Sequence, residues 1–187
     1  MDLFQQSSSF DFTNMIANLM SAVYSIQNLV VAISYLMGVS LIARAIFLYK
    51  TFGQQVTQAS RPGELAAPIV QMFVGAMLIY LPNTLDTSLN TLYGGGMDSI
   101  ANASSLIGYN TISTFGNWSQ LSNVIVHYMQ LIGLISFVRG WILLSKLGHA
   151  GEQPGNFSKG LTHIIGGILL INVVDTINIL ATTFGFQ

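Results

Sequence analysis

The chain has 187 residues, of which 51% are hydrophobic and only 7% are charged, and its formal net charge is −1. Soluble domains average roughly a quarter charged residues, so six basic and seven acidic side chains cannot cover a soluble protein of this size. The net charge is too small to indicate a nucleic-acid or acidic partner, and we predict no direct nucleic-acid binding. The absence of cysteine excludes disulfides, thiolate metal sites and cysteine nucleophiles. Composition therefore predicts a membrane protein.

Residues 1–24 form an amphipathic lead-in, in which Phe12, Ile16, Leu19 and Val23 recur at helical spacing. We expect this segment to lie on the outer membrane interface or to extend the first helix outward. It contains no basic residue, so the first helix itself is expected to direct insertion.

Four apolar segments follow the lead-in. Each approaches the roughly 20 helical residues that span a bilayer core of about 30 Å, and no stretch alternates as a membrane β-strand would. We therefore predict an all-α membrane protein with four transmembrane helices. The segments are residues 25–48, 65–82, 121–144 and 160–182.

The chain repeats itself. Gly38 aligns with Gly133 and Arg44 with Arg139 at one spacing, and an Asp-Thr pair follows in each half, at 86–87 and 175–176. This pattern predicts two tandem parallel-repeat helical hairpins, over residues 25–94 and 121–187, separated by a polar segment at 95–120.

The basic residues predict the orientation. All six lie in or beside the connections 51–63 and 147–159, and cytoplasmic loops carry the excess of lysine and arginine. We expect a multi-pass bacterial inner-membrane protein whose termini and residues 83–120 are periplasmic.

The charged residues near these loops are candidate anchors or subunit contacts. Arg44 and Arg139 precede Lys50 and Lys146 by six and seven positions, so their side chains can extend to the cytoplasmic headgroups of membrane lipid. Glu64 could pair with Arg44, whereas no acid stands at the matching place for Arg139.

Other candidates concern helix packing. Gln71 and Asn172 are deep amides, expected to form hydrogen bonds between helices. Small residues that recur in both halves predict close helix contacts. They are Ser34, Gly38, Gly75, Gly133, Ser136, Gly140, Gly166 and Gly167.

Catalysis and metal binding find little support in the sequence. His127, His149 and His163 are expected at different depths, which disfavours a metal site within one chain. Phosphate loops, nucleophile motifs and paired carboxylates are absent from the sequence. We therefore expect no enzyme activity and no cofactor.

The phrase GLTHIIGGILLINVVDTINIL at residues 160–180, with the short charge-poor hairpins, resembles the small integral inner-membrane proteins of type IVB (Dot/Icm-like) secretion systems. The similarity is to the DotE/IcmC group, the related DotV and DotP/IcmD proteins, and their IncI conjugation counterparts. The resemblance implies a structural subunit that braces or lines a translocation channel for effector proteins or DNA. It also implies contact with other subunits such as a DotA-like protein, in a homo- or hetero-oligomer.

Two alternatives remain at the level of sequence. One is a small oligomeric channel or holin-like pore, and the other is a pilin-like filament subunit. The doubling of the hairpin and the missing long leader disfavour a pilin.

Overall fold

In a computed structural model, the chain is described over residues 12–55, 66–94, 119–147 and 155–185. These four stretches contain six α-helices and no strand, so the predicted all-α class is confirmed.

The first helix is much longer than a membrane span. Helix α1 covers Phe12–Gln55, and its 44 residues make it about 66 Å long. Residues 12–24 thus continue into the first apolar segment as one helix, and residues 51–55 of the expected cytoplasmic loop are helical as well.

Only one narrow side of α1 packs against the rest of the chain. Its buried positions recur every 11 residues, a period of 3.67 per turn that stays close to one face of a straight helix. They are Ile16, Val23, Gln27, Ser34, Gly38 and Ala45.

The remaining helices form one long span and two bent pairs. Helix α4 covers Ser119–Leu144, and α1 and α4 are each long and apolar enough to cross a membrane. Helices α2 (Ala66–Ile79) and α3 (Leu81–Tyr93) meet at 92°. Helices α5 (Asn156–Ile171) and α6 (Val173–Thr183) meet at 90°. By length and composition the described residues thus contain two membrane spans, or up to four if each bent pair is one span.

The first bend lies at Tyr80, whose φ of −96° and ψ of 37° leave the helical region. Pro82 explains this break, because proline has no N–H to bond the carbonyl of Leu78 and its ring would clash with that oxygen. Residues 83–93, at the start of the stretch 83–120 that is expected on the periplasmic side, form a helix that ends at Gly94 in the left-handed conformation (φ 76°).

The second bend lies at Asn172 (φ −107°, ψ 49°), so the expected continuous helix over 160–182 is wrong. No proline stands nearby. Asn172 instead donates from Nδ2 to Asp175 Oδ2 at 3.0 Å, a local bond that competes with the regular helix. Helix α5 also starts at Asn156, inside the connection expected at 147–159.

Helix α1 packs on α2, and α4 packs on α5, and the two pairs share one apolar core. Phe73 contacts Trp141 across the pairs with ring centroids 6.0 Å apart, and Tyr24 contacts His127 edge-on at 6.1 Å. The leucines of α3, at positions 81, 85 and 89, are buried against this core. Helices α3 and α6 therefore lie at the same end of the bundle, each at about a right angle to the helix that precedes it.

Candidate functional site

In the first helix pair, two glycines bring the backbones into contact. A methyl group on Gly38 would lie 2.7 Å from the carbonyl oxygen of Gly75, and one on Gly75 would lie 2.9 Å from the oxygen of Gly38. Ile42 and Ile79 close the contact on either side. No side chain fits between these backbones, so the crossing requires glycine on both helices.

The second pair repeats this crossing. A methyl group on Gly133 would lie 2.8 Å from Gly167 O, and one on Gly167 would lie 2.8 Å from Gly133 O and 2.7 Å from the backbone nitrogen of Phe137. One heptad away, a methyl group on Gly140 would lie 2.8 Å from Gly160 O. Gly160 is a contact residue beyond those predicted from sequence, and its seven-residue spacing from Gly167, equal to that between Gly133 and Gly140, could have indicated it.

The other small residues behave differently. Gly166 lies on the exposed side of α5, and no described atom would come within 4 Å of a methyl group there. It therefore takes no part in the crossing expected of it. Ser34 is fully buried but donates within its own helix to Val30 O at 2.7 Å, whereas Ser136 donates to His163 O on α5 at 3.1 Å.

A threonine stabilises each bend. Thr84 donates to Met77 O at 3.0 Å, and Thr176 donates to Leu169 O at 2.9 Å, in both cases seven residues back. The bend takes away the amide that would normally bond each of these carbonyls, so the hydroxyl replaces it. Thr84 and Thr176 therefore occupy equivalent positions in the two bends. The two Asp-Thr pairs that were aligned from sequence are not equivalent, because Thr84, and not Thr87, matches Thr176.

One hydrogen bond joins the two bent pairs. The hydroxyl oxygen of Tyr93, at the end of α3, lies 2.6 Å from the hydroxyl oxygen of Thr176. Thr176 has a single proton, and its other partners, Leu169 O and Asn172 O, can only accept. Tyr93 is therefore the donor, and the second bend fixes the end of α3.

Buried polar side chains are more numerous than the sequence suggested. Gln71 and Asn172, the two expected amides, are each 1% exposed. Gln27, His127 and Gln130 are buried as well, and His127 Nδ1 lies 2.7 Å from Asn123 O. Periodicity could have found Gln27, which lies on the buried stripe of α1. The bonds of Asn172 to Asp175 and of His127 to Asn123 are local, three and four residues apart in sequence.

The charged candidates lie on the outside. Arg44, Lys50, Arg139 and Lys146 are exposed, so neither arginine points into the bundle. Glu64, the expected partner of Arg44, lies outside the described residues.

The side of α1 opposite its buried stripe carries an uncharged polar series that we call the far face. Its positions alternate in steps of four and three and lie about 180° from Val23 around the helix. No charged residue precedes Arg44 in α1. The far face consists of the exposed residues Asn14, Asn18, Ser21, Ser25, Asn28 and Ala32.

Among the described residues, His, Asp and Glu do not form a group that could hold a metal ion. The described residues offer backbone contacts between helices, hydrogen bonds at the two bends and an extended exposed surface on α1. No family model, no curated protein and no solved structure matches this chain.

Proposed function

We propose that this chain is a non-enzymatic structural subunit of a multi-protein assembly in a bacterial inner membrane. Its four apolar segments would cross the membrane as two tandem copies of one hairpin. Two likenesses support the repeat: the glycine crossings Gly38–Gly75 and Gly133–Gly167, and the threonine bonds at the two bends.

In this proposal α2 and α5 are short spans. They have 14 and 16 residues, or about 21 and 24 Å, against a bilayer core of about 30 Å. Local thinning of the bilayer or support from neighbouring helices accommodates such a difference at modest cost. In keeping with the basic residues beside them, the connections 51–63 and 147–159 would lie in the cytoplasm, and both bends would then lie on the periplasmic side.

The far face of α1 is the observation that carries the proposal. Helix α1 buries only one narrow stripe, and all six residues of the far face are exposed. A free helix surface in water usually carries charged residues, whereas the far face has only amide, hydroxyl and small side chains at heptad spacing. Such spacing matches a partner helix, and uncharged polar and small residues favour helix association in membranes.

Arg44 and Arg139 serve the same assembly from the cytoplasmic edge. Both are exposed, and both lie within reach of the lipid headgroups. They are proposed as lipid anchors or subunit contacts, together with Lys50 and Lys146.

We propose a type IVB secretion or conjugation apparatus as the assembly, because the phrase at residues 160–180 and the charge-poor hairpins resemble its small inner-membrane proteins. In that setting the chain would brace or line a translocation channel for effector proteins or DNA. Its neighbours would be copies of itself or larger subunits such as a DotA-like protein.

A photo-crosslinking amino acid tests the far face in living cells. It would replace Ser25 and Ala32 on the far face, and the adjacent Ile26 and Ile33 as matched controls. Ile26 and Ile33 are also exposed but lie about 100° further around the helix. We expect protein adducts at Ser25 and Ala32 and only weak adducts at the two isoleucines. Equal adducts at all four positions, or none at the far face, would contradict the proposal.

A further inference from the structure

Helix α6 leaves the bundle sideways. It meets α5 at 90°, so it runs parallel to the membrane surface if α5 crosses the membrane. Beyond its first turn α6 is largely uncovered, and Ile179 and Leu180 are 52% and 50% exposed.

The bond at the bend shows which side of α6 faces the membrane. Thr176 donates to Leu169 O and Asn172 O, so its side chain points back along α5, into the inner corner of the bend. Ile179, Leu180 and Thr183 lie within about 60° of Thr176 around the helix axis. They therefore face the same way, toward the bilayer that surrounds α5.

The polar side chains of α6 are grouped on one side of the helix. Asp175, Thr182 and Asn178 lie about 100°, 120° and 160° from Thr176 in one direction, and Asn178 and Thr182 are exposed. In the other direction lies Ile177, about 100° from Thr176 and 58% exposed. A helix with this division is suited to the boundary between headgroups and acyl chains.

We propose that α6 lies in the outer leaflet of the bilayer as an interfacial helix. Ile179 and Leu180 insert among the acyl chains, and Asn178 and Thr182 face water. The ligand of this surface is the lipid itself, because the side in question is apolar and turned toward the lipid-exposed face of α5.

The charge of α6 determines which lipids it prefers. Many interfacial helices use lysine and arginine to bind anionic headgroups. Helix α6 contains no basic residue and one acid, Asp175. Insertion therefore depends on apolar burial and gains nothing from anionic headgroups.

Helix α3 provides an internal comparison. Its positions around the inner corner of the first bend are Thr87, Ser88 and Thr91, where α6 has Ile179, Leu180 and Thr183. Ser88 and Thr91 donate to carbonyls within α3, and its leucines pack on the bundle instead. The inserted side is thus a property of α6 alone.

The absence of cysteine allows a clean test with single nitroxide labels in phosphatidylcholine vesicles. Leu180→Cys and Ile179→Cys report the apolar side, and Asn178→Cys and Thr182→Cys report the polar side. We expect labels at 179 and 180 to be accessible to oxygen and shielded from a water-soluble nickel complex, and those at 178 and 182 to show the reverse. Circular dichroism checks that each variant is folded.

Three outcomes would overturn the inference. Access of the nickel complex to all four labels would show that α6 lies in water. Shielding of all four labels from both oxygen and the nickel complex would show that α6 is covered by protein. Access of oxygen alone to all four labels would show that α6 crosses the bilayer. The inference rests on the proposed crossing by α5, which Ile165→Cys on the exposed side of α5 tests separately. Nickel access at 165 would overturn the crossing itself, whereas oxygen access there with failure at 180 would overturn only the inference.

Discussion

At the residue scale, glycines determine how closely the helices approach. Gly166 and Gly167 are neighbours in sequence, yet only Gly167 faces α4. Spacing within one helix cannot distinguish them, because the choice depends on the rotation of α5 against a partner far away in the chain. Gly133 was easier to identify, since Gly38 stands at the matching place in the first half of the sequence.

This pair provides a matched substitution. Gly167→Ala puts a methyl group 2.7 Å from a backbone nitrogen of α4, so the helices must separate, at a cost of about 1–3 kcal/mol. Gly166→Ala meets no described atom and removes a helix-weakening glycine, which is worth up to about 1 kcal/mol of stabilisation. Thermal unfolding in detergent, followed by circular dichroism, should show a lower Tm for Gly167→Ala and an unchanged or higher Tm for Gly166→Ala. Equal Tm values would mean that the crossing is not a tight contact.

At the element scale, the bends are what sequence reasoning captured least. Pro82 marks the first bend, and the predicted second segment ended close to it. The second bend has no proline or glycine, and the apolar run around Asn172 looks like an unbroken span. This bend depends on the side-chain hydrogen bond from Asn172 to Asp175 and on the hydroxyl of Thr176, which donates to Leu169 O seven residues earlier. Hydrophobic periodicity does not report such bonds.

Removal of the hydroxyl at the second bend tests its role. Thr176→Val keeps the size of the side chain but leaves Leu169 O without its hydroxyl donor and Tyr93 without its acceptor, which should cost about 1–3 kcal/mol. Thr182→Val is the control, because the hydroxyl of the exposed Thr182 donates within its own helix, to Asn178 O at 2.8 Å. Its effect should stay within about 0.5 kcal/mol.

Unfolding in detergent and urea measures both variants. Thr176→Ser should retain most of the wild-type stability, because serine keeps the hydroxyl. A similar loss of unfolding free energy for Thr176→Val and Thr182→Val would show that the hydroxyl at the bend has no special role.

At the scale of the whole molecule, composition and apolar run length were sufficient for the all-α class and for a membrane protein. They were not sufficient for the number of straight spans, since the fourth segment is divided at Asn172 and the second continues past its bend into α3. They also missed that α1 buries one stripe and leaves its opposite side uncovered. That surface is visible only once the packing partners of α1 are known.

The central claim is that this chain works as one subunit among several. The direct measurement is the mass and composition of the particle that a tagged chain forms when it is extracted from its native membrane in mild detergent. We predict a particle several times heavier than the 20.3 kDa chain, containing further copies or other membrane subunits. Recovery as a single 20.3 kDa chain in several mild detergents would contradict the claim.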